Sequence, residues 1–184
     1  MPDGKEEDAM AVLEVRLYGD PVLRRQAAPV REVTPEIESW LNDMVETMHT
    51  EVGIGLAAIQ VGIELRMLVI DEGRGVGGRA YLNPVIVEQG GEQVGEEGCL
   101  SLPGIYADVR RAEWVVVEAM DRTGTSFRRR ASGLLARVLQ HEIDHLDGIL
   151  FIDRLDKVTR DRLKRQIKRE GFPEQPALAG GVRL

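Results

Sequence analysis

Two of the three histidines in this chain lie four residues apart, in the segment Gln-His-Glu-Ile-Asp-His at positions 140–145. Positions i and i+4 lie on one face of an α-helix, so His141 and His145 can bind the same metal ion. Glu142 is then placed to move a proton on water at that ion. The spacing predicts a catalytic metal site. The alternative is a surface helix with two solvated histidines.

Two histidines leave such a site incomplete, because catalytic metal sites usually have three protein ligands and one open position. Downstream, the carboxylates of Asp147, Asp153 and Asp156 are available, but none has a recognised spacing. Upstream, Cys99 offers a thiolate, and the preceding Gly98 would let the backbone pass close to an ion. Cys99 could equally be a small buried apolar side chain.

The elements that position these residues begin with a helix from Gly133 to Asp147, which Gly148 is expected to end. An earlier helix is predicted to begin at Thr34 and Pro35, with an apolar stripe at spacings of three and four, and to end before Gly53. A third, basic helix is predicted over residues 154–170, with apolar residues in one row and Lys and Arg opposite.

Between the first two helices the pattern indicates β-strands, at residues 65–70, 81–89, 109–120 and 126–130. Pro84 predicts an edge or a bulge in the second of them. The fold class is therefore α+β: mainly antiparallel sheets packed around the central helix of His141, with an N-terminal and a C-terminal helix. One domain is expected over residues 1–171, with residues 1–10 flexible and residues 172–184 a disordered tail.

Composition excludes several classes of protein. Hydrophobic residues make up 43% and charged residues 30%, as in a folded globular domain, and the apolar runs are too short to cross a bilayer. The acidic, polar N-terminus is unlike a signal peptide, and one cysteine allows no internal disulfide. These features predict a cytoplasmic protein without a membrane partner.

The net charge of −7 argues against binding to free nucleic acid, but the charge is unevenly distributed. From Arg154 to Arg169 there are eight Lys or Arg residues against two Asp residues. A basic helix on an acidic body suggests one polyanionic or acidic partner. A solvated helix face is the alternative.

Three segments together resemble the signature motifs of the peptide deformylase family. They are Gly-Ile-Gly-Leu-Ala-Ala-Ile-Gln at 53–60, Glu-Gly-Cys-Leu-Ser at 97–101, and the histidine motif at 140–145. They occur in the family's order, and the resemblance extends from about Leu17 to the basic helix. It implies removal of the formyl group from N-terminal formyl-methionine of nascent proteins. It also implies Cys99, His141 and His145 as metal ligands, with Fe²⁺ as the native ion and Zn²⁺, Ni²⁺ or Co²⁺ as possible substitutes. Spacing alone would have suggested zinc.

The expected mechanism follows from this ligand set. The ion lowers the pKa of bound water, and the resulting hydroxide attacks the formyl carbon. Glu142 accepts the proton and passes it to the departing amine. The resemblance suggests the Gln60 side chain and the Leu100 backbone N–H as donors to the formyl oxygen. Gln60 could otherwise be an ordinary solvated amide.

A pocket for the methionine side chain is expected beside the metal. Residues on the same face of the helix as His141, together with the glycine-rich motif, would form its walls: Leu134, Val138 and Ile54. Gly55 and Gly98 could offer backbone groups to an extended peptide. Arg137 departs from the apolar residue often found in the family, and Tyr106 stands where some members have an arginine. Asp144 and Arg111 could form a pair that braces the helix.

Two other functions stay open at this stage. A metallopeptidase would cleave internal peptide bonds, and a ribosome-associated binding protein would hold a metal for structure only. The resemblance also implies that the basic C-terminal helix docks at the ribosome, near the point where nascent formyl-methionyl chains emerge.

Overall fold

The helix that carries both histidines, α2 (Gly133–Leu146), packs against a five-stranded antiparallel sheet. The computed structural model describes residues 10–73, 77–173 and 184. The sheet has the strand order β1-β2-β3-β6-β7, and β4 and β5 form a separate antiparallel pair. The strands are β1 (Gly55–Ala57), β2 (Met67–Asp71), β3 (Gly78–Gly90), β4 (Gln93–Cys99), β5 (Leu102–Arg111), β6 (Trp114–Met120) and β7 (Ser126–Ser132). The predicted α+β class is confirmed.

Helix α2 is buried on nearly all sides, and every residue from 136 to 146 is inaccessible to solvent or almost so. Its apolar residues Val138, Leu139 and Ile143 join a core cluster with residues of the five-stranded sheet. Its polar residues are also buried, which an amphipathic surface helix would not show. The solvated surface helix considered above is therefore excluded by the burial of α2.

The predicted N-terminal helix is α1 (Pro35–Thr50), and the prediction of its start is confirmed. The Thr34 side chain accepts a hydrogen bond from the Ile37 N–H, which satisfies one free donor of the first turn. Leu41, Met44 and Met48 are fully buried in a second core cluster that includes residues of β1 and β2. This helix therefore supports the side of the sheet where the glycine-rich motif lies.

The single strand predicted over residues 109–120 is wrong. The strand is interrupted at Ala112 and Glu113, so that β5 and β6 are separate strands in different sheets. Strand β4 was not predicted, since its glycines and acidic residues lack the β-branched pattern typical of strands. Pro84 does coincide with an irregularity, because the β3–β6 register shifts between Leu82 and Val85.

The third helix, α3 (Lys157–Glu170), follows a short 3-10 turn, Phe151–Arg154. Leu163 is buried, whereas Lys157 and Lys168 are exposed, as the amphipathic pattern predicted. No helix among residues 10–73 and 77–173 has the length and apolar character needed to cross a membrane.

The two ends of the chain were predicted to be flexible or disordered. Residues 1–9, and residues 174–183 of the tail, lie outside the described part of the chain. Leu184 is described and is only 1% exposed. It joins the core cluster of α2, and its backbone oxygen accepts a hydrogen bond from the Leu100 N–H at 3.3 Å.

Candidate metal centre

The end of strand β4 and one face of α2 bring three potential metal ligands together. The ligand atoms of Cys99, His141 and His145 all lie within 4.8 Å of one another, and all three residues are buried. The His145 Nε2 atom is 3.3 Å from the Cys99 Sγ and 3.2 Å from the His141 Nε2. The two histidines of α2 and the cysteine at the end of β4 thus direct their ligand atoms to one place.

The two donor separations that involve His145 are close to those of a tetrahedral metal ion. Bond lengths of about 2.0–2.1 Å to nitrogen and about 2.3 Å to sulfur put two nitrogens about 3.3 Å apart and a nitrogen and a sulfur about 3.6 Å apart. The observed separations of 3.2 Å and 3.3 Å are close to these values. Two imidazoles and a thiolate form a set that suits a borderline or soft divalent ion. The residues present therefore fit a metal ion.

A buried carboxylate orients the first histidine. The Nδ1 atom of His141 is 2.8 Å from the Glu97 Oε2, which directs the Nε2 atom towards Cys99 and His145. Arg111 donates to both oxygens of Glu97, at 2.9 Å and 3.0 Å. Burial acts to raise the pKa of Glu97, but hydrogen bonds from His141 and Arg111 outweigh it and hold that pKa well below its usual range. Glu97 is therefore ionised, and its carboxylate accepts a hydrogen bond from the His141 Nδ1–H.

The network continues along α2 to Asp144. Arg111 donates to the Asp144 Oδ2 at 2.6 Å, so the pair suggested by the sequence is present. Arg154 donates to both oxygens of the same carboxylate, at 3.0 Å and 2.6 Å. Asp144 lies one residue before the potential ligand His145, and these two arginines therefore connect α2 to β5 and to the 3-10 turn that follows.

Glu142 is fully buried next to the triad. Among the described residues, neither of its carboxylate oxygens has a hydrogen-bond partner. A Cβ atom added at Gly55 would lie 2.7 Å from the Glu142 Oε1, so β1 can approach this carboxylate only with glycine there. Burial raises the pKa of Glu142 to about 7. Buried polar atoms are normally satisfied, so this carboxylate is positioned for a partner that binds in the site.

The pKa values of the two histidines are shifted in opposite directions, although burial acts to lower both. Burial, with the neighbouring His141 cation, lowers the pKa of His145 well below its ordinary value. Burial acts in the same direction on His141, but its contacts with Cys99 and Glu97 outweigh it and raise the pKa of His141 to about 10. The neutral form, which binds metals, is thus strongly favoured at His145.

Gln60 and Leu100 lie beside the thiolate. Gln60 is fully buried, and this excludes the alternative that its side chain is an ordinary solvated amide. Its Oε1 accepts from the Ala57 N–H at 2.9 Å, and its Nε2 is directed towards the Cys99 Sγ at 3.6 Å and the Ser101 Oγ at 3.2 Å. The Leu100 N–H follows directly after Cys99 in the chain. The Gln60 amide is therefore directed at Cys99, whereas the Leu100 N–H donates to the Leu184 oxygen at 3.3 Å.

Comparison with known proteins agrees with this geometry. A family model described as polypeptide deformylase matches residues 12–161. A peptide deformylase of Halothermothrix orenii is 49% identical over 154 residues, which are 84% of this chain and 100% of that protein. The chain belongs to the polypeptide deformylase family. Enzymes of this family depend on a metal ion and hydrolytically remove the formyl group from nascent peptides, and this chain is such an enzyme.

Solved deformylase structures share the fold. The crystal structure of peptide deformylase from Thermus thermophilus has a TM-score of 0.80 and 46% identity, covering 85% of this chain and 93% of that one. A deformylase from Synechococcus elongatus, solved in complex with actinonin, has a TM-score of 0.79 and 38% identity, covering 90% and 92%. The arrangement of sheets and helices described above is thus that of solved deformylases.

Only some of the residues predicted to line the deformylase substrate pocket lie close to one another. Val138 is 1% exposed in the cluster of α2, and Ile54 packs against that cluster. Leu134, in the first turn of α2, is 52% exposed. Gly98 lies under the Tyr106 ring, since a Cβ atom there would be 2.4 Å from that ring's Cε1. Gly55 is in β1, at an edge of the five-stranded sheet.

Sequence reasoning missed two members of the site. In the sequence, Glu97 enters only as part of a motif, and Arg137 only as a departure from the apolar residue often found in the family. Arg137 is 4% exposed, and its guanidinium contacts Glu97 and the backbone of β4 and β5. An acidic residue in a strand and an arginine in a helix usually face solvent. Neither residue type on its own therefore predicts a buried position at the site.

Proposed function

We propose that this enzyme removes the formyl group from N-terminal formyl-methionine of newly synthesised proteins, with an ion held by Cys99, His141 and His145. The observation that carries the proposal is the fully buried Glu142 carboxylate, with both oxygens unpartnered among the described residues, beside this triad. Such a carboxylate is suited to accept a proton from water and to deliver it to a leaving amine.

We further propose Fe²⁺ as the native ion, with Zn²⁺, Ni²⁺ or Co²⁺ able to substitute. When bound, a divalent ion supplies Lewis acidity, which lowers the pKa of water towards neutrality. The thiolate of Cys99 and the resemblance to the family support the assignment. Metal analysis after anaerobic purification should find iron, and activity should decay in air. Zinc with air-stable activity would contradict it.

The protein contributes proton transfer and charge stabilisation. Glu142 takes the proton from the attacking water and returns it to the amine of the new N-terminus. Negative charge develops on the formyl oxygen, and donors must already point at it. The Gln60 Nε2 and the Leu100 N–H are the donors we assign, because both lie beside Cys99 in a buried site.

Substrate binding is assigned to the edge of the sheet. Strand β1 pairs with β2 on one side only, so the backbone of Gly55 lies at the sheet edge beside Glu142. An extended peptide can pair with such an edge. Val138 and Ile54 would contact the methionine side chain, Leu134 would lie at the rim, and Gly98 would offer its backbone.

The decisive experiment uses Glu142→Gln. The variant should keep the metal, because Glu142 is not a ligand, and should lose deformylation of formyl-Met-Ala-Ser by at least about 10²-fold. Glu96→Gln, an exposed acid on β4, is the matched control and should retain activity. Turnover by Glu142→Gln equal to that of the parent would refute the mechanism. Cys99→Ser should lose metal or most activity.

We also propose cytoplasmic action at the ribosome, with the basic face of α3 as the contact. Lys157 and Lys168 are exposed on this helix. Co-sedimentation with ribosomes should weaken with salt and with Lys157→Glu and Lys168→Glu together. Arg31→Glu and Arg110→Glu, a control pair of exposed arginines outside α3, should leave it unchanged. An equal loss of ribosome co-sedimentation in both double variants would contradict the assignment to α3.

A further inference from the structure

Arg137 connects the metal-binding helix to the small sheet. From the second turn of α2, its guanidinium Nη1 donates to the Val109 carbonyl at 2.8 Å and to the Gly95 carbonyl at 3.2 Å. Val109 and Gly95 are register partners in β5 and β4. A Cβ atom at Gly95 would lie 3.3 Å from the Arg137 Nη2, so the guanidinium is packed directly against the strand backbone.

The same guanidinium also binds the carboxylate that orients His141. Arg137 Nη1 donates to the Glu97 Oε1 at 2.8 Å, and Arg111 Nε donates to this oxygen at 2.9 Å. The side chains of Glu97, Arg111 and Arg137 are 0%, 3% and 5% exposed. Charge-assisted hydrogen bonds in so dry an environment hold both partners in a narrow range of positions.

These two sets of contacts act on two different ligands. Through Glu97, Arg137 restrains the ring of His141, which lies one turn further along α2. Through the backbone of Gly95 and Val109, it fixes the strand β4 that ends at Cys99. We infer that Arg137 is a positioning residue of the metal centre, which sets the distance between the Cys99 thiolate and the imidazoles of α2. The inference rests on the proposed ligand set.

An apolar residue at this position could fill the volume but could not perform this function. Methionine has no donor for Glu97, Val109 or Gly95, and would leave their oxygens short of partners in a buried place. Lysine carries the charge, but it lacks the flat guanidinium that packs against Gly95 and the Nη2 that donates to the Gln93 Oε1 at 3.4 Å. Arg137 therefore does not form part of the methionine pocket wall.

The test measures metal binding as well as turnover. Apoprotein of the parent, Arg137→Met and Arg137→Lys is titrated with Co²⁺ against a chelator, and the visible absorption spectrum is recorded. Loss of a group that orients ligands typically lowers metal affinity about 10–100-fold. We expect a loss in this range for Arg137→Met, a smaller one for Arg137→Lys, and a shifted Co²⁺ spectrum in both.

A matched control separates positioning from general destabilisation. Arg110→Met removes an exposed arginine of β5, paired with Glu92, and should leave Co²⁺ affinity and spectrum unchanged. In a double-mutant cycle, Arg137→Met should cost much less affinity when Glu97→Gln is already present. If Arg137→Met does not fold, Arg137→Lys and the cycle built on it decide the matter.

The inference is overturned if the folded Arg137 variants bind Co²⁺ within about twofold of the parent and with its spectrum. Failure of the underlying proposal gives a different result: the parent itself would then bind no Co²⁺ in a thiolate-containing site, and Cys99→Ser would not alter the spectrum. The two failures are therefore distinguishable in one series of titrations.

Discussion

Three polar side chains at the metal site are each held by a neighbour on a different element. His141 is held by Glu97, Glu97 by Arg111 and Arg137, and Gln60 by the Ala57 N–H. Donors fixed in this way need little reorganisation when charge develops during a reaction. The catalytic contribution of a residue therefore depends on the residues that hold it as well as on its own chemistry.

Gln60 gives the residue-scale prediction. Gln60→Met removes the side-chain N–H that points towards Cys99 while keeping a similar volume. We expect kcat for formyl-Met-Ala-Ser to fall about 10²–10³-fold, because a donor to the developing oxyanion is lost, with a smaller change in KM. Metal content should stay at the parent level. Gln89→Met, at an exposed site on β3, is the control. An unchanged kcat would remove Gln60 from the mechanism.

The residues differ in how far their positions could be predicted from sequence. The His141–His145 pair follows from helical geometry. Cys99 was one candidate third ligand by its chemistry, and only the resemblance to a family selected it. The role of Arg137 could not be predicted, because its partners Gly95, Glu97 and Val109 lie on strands far away in sequence. A helical pattern gives the face of a residue but not what packs against that face.

At the scale of elements, the helices were predicted well and the strands less well. The caps and periodicity of α1 and α2 are local signals, so their limits follow from the sequence. The break at Ala112 and the strand β4 depend on pairing between distant segments, which composition does not encode. Glu97 illustrates this point: its place in a strand is stabilised by buried contacts with Arg111 and Arg137.

The end of α2 allows a controlled test of tertiary packing. Gly148 and Gly171 follow α2 and α3 with φ angles of 73° and 74°, which strain the backbone of an alanine at either position. A Cβ atom at Gly148 would lie 2.7 Å from the Arg24 carbonyl oxygen, whereas nothing lies within 4 Å at Gly171. Gly148→Ala should therefore lower the free energy of unfolding in urea clearly more than Gly171→Ala. Equal decreases in the free energy of unfolding would show that the Arg24 carbonyl can move away from the added Cβ atom without a measurable cost.

The turn after α2 should also make stability depend on pH. Asp153 is partly buried, which acts to raise its pKa, but hydrogen bonds from Arg24 and the Leu150 N–H, with the charge of Lys164, lower it. A carboxyl with a lowered folded-state pKa stabilises the fold above its unfolded pKa of about 4 and loses this contribution as the pH falls. Asp153→Asn should thus destabilise the protein at pH 7 and make little difference near pH 2. A constant difference between parent and variant across this range would contradict the prediction.

At the scale of the whole molecule, the last described residue reaches the site. The Leu184 oxygen accepts from the Leu100 N–H at 3.3 Å, and its side chain is buried in the cluster that contains Val138. The Leu100 N–H is the backbone donor proposed for the substrate, and Val138 is a proposed contact of its methionine side chain. Because Leu184 occupies the Leu100 N–H, Leu184 and the substrate should compete for it.

Competition within one chain is strong, because a tethered group has an effective concentration of about millimolar. Removing residues 174–184 should therefore lower the KM for formyl-Met-Ala-Ser several-fold and leave kcat unchanged. Leu184→Asp should have the same effect, since an unpaired carboxylate is costly to bury in an apolar cluster. Leu184→Met, which keeps the apolar contact, should retain the parent KM. Steady-state kinetics at fixed metal loading measure all four proteins, and a KM that is the same in all of them would show that Leu184 does not exclude the substrate.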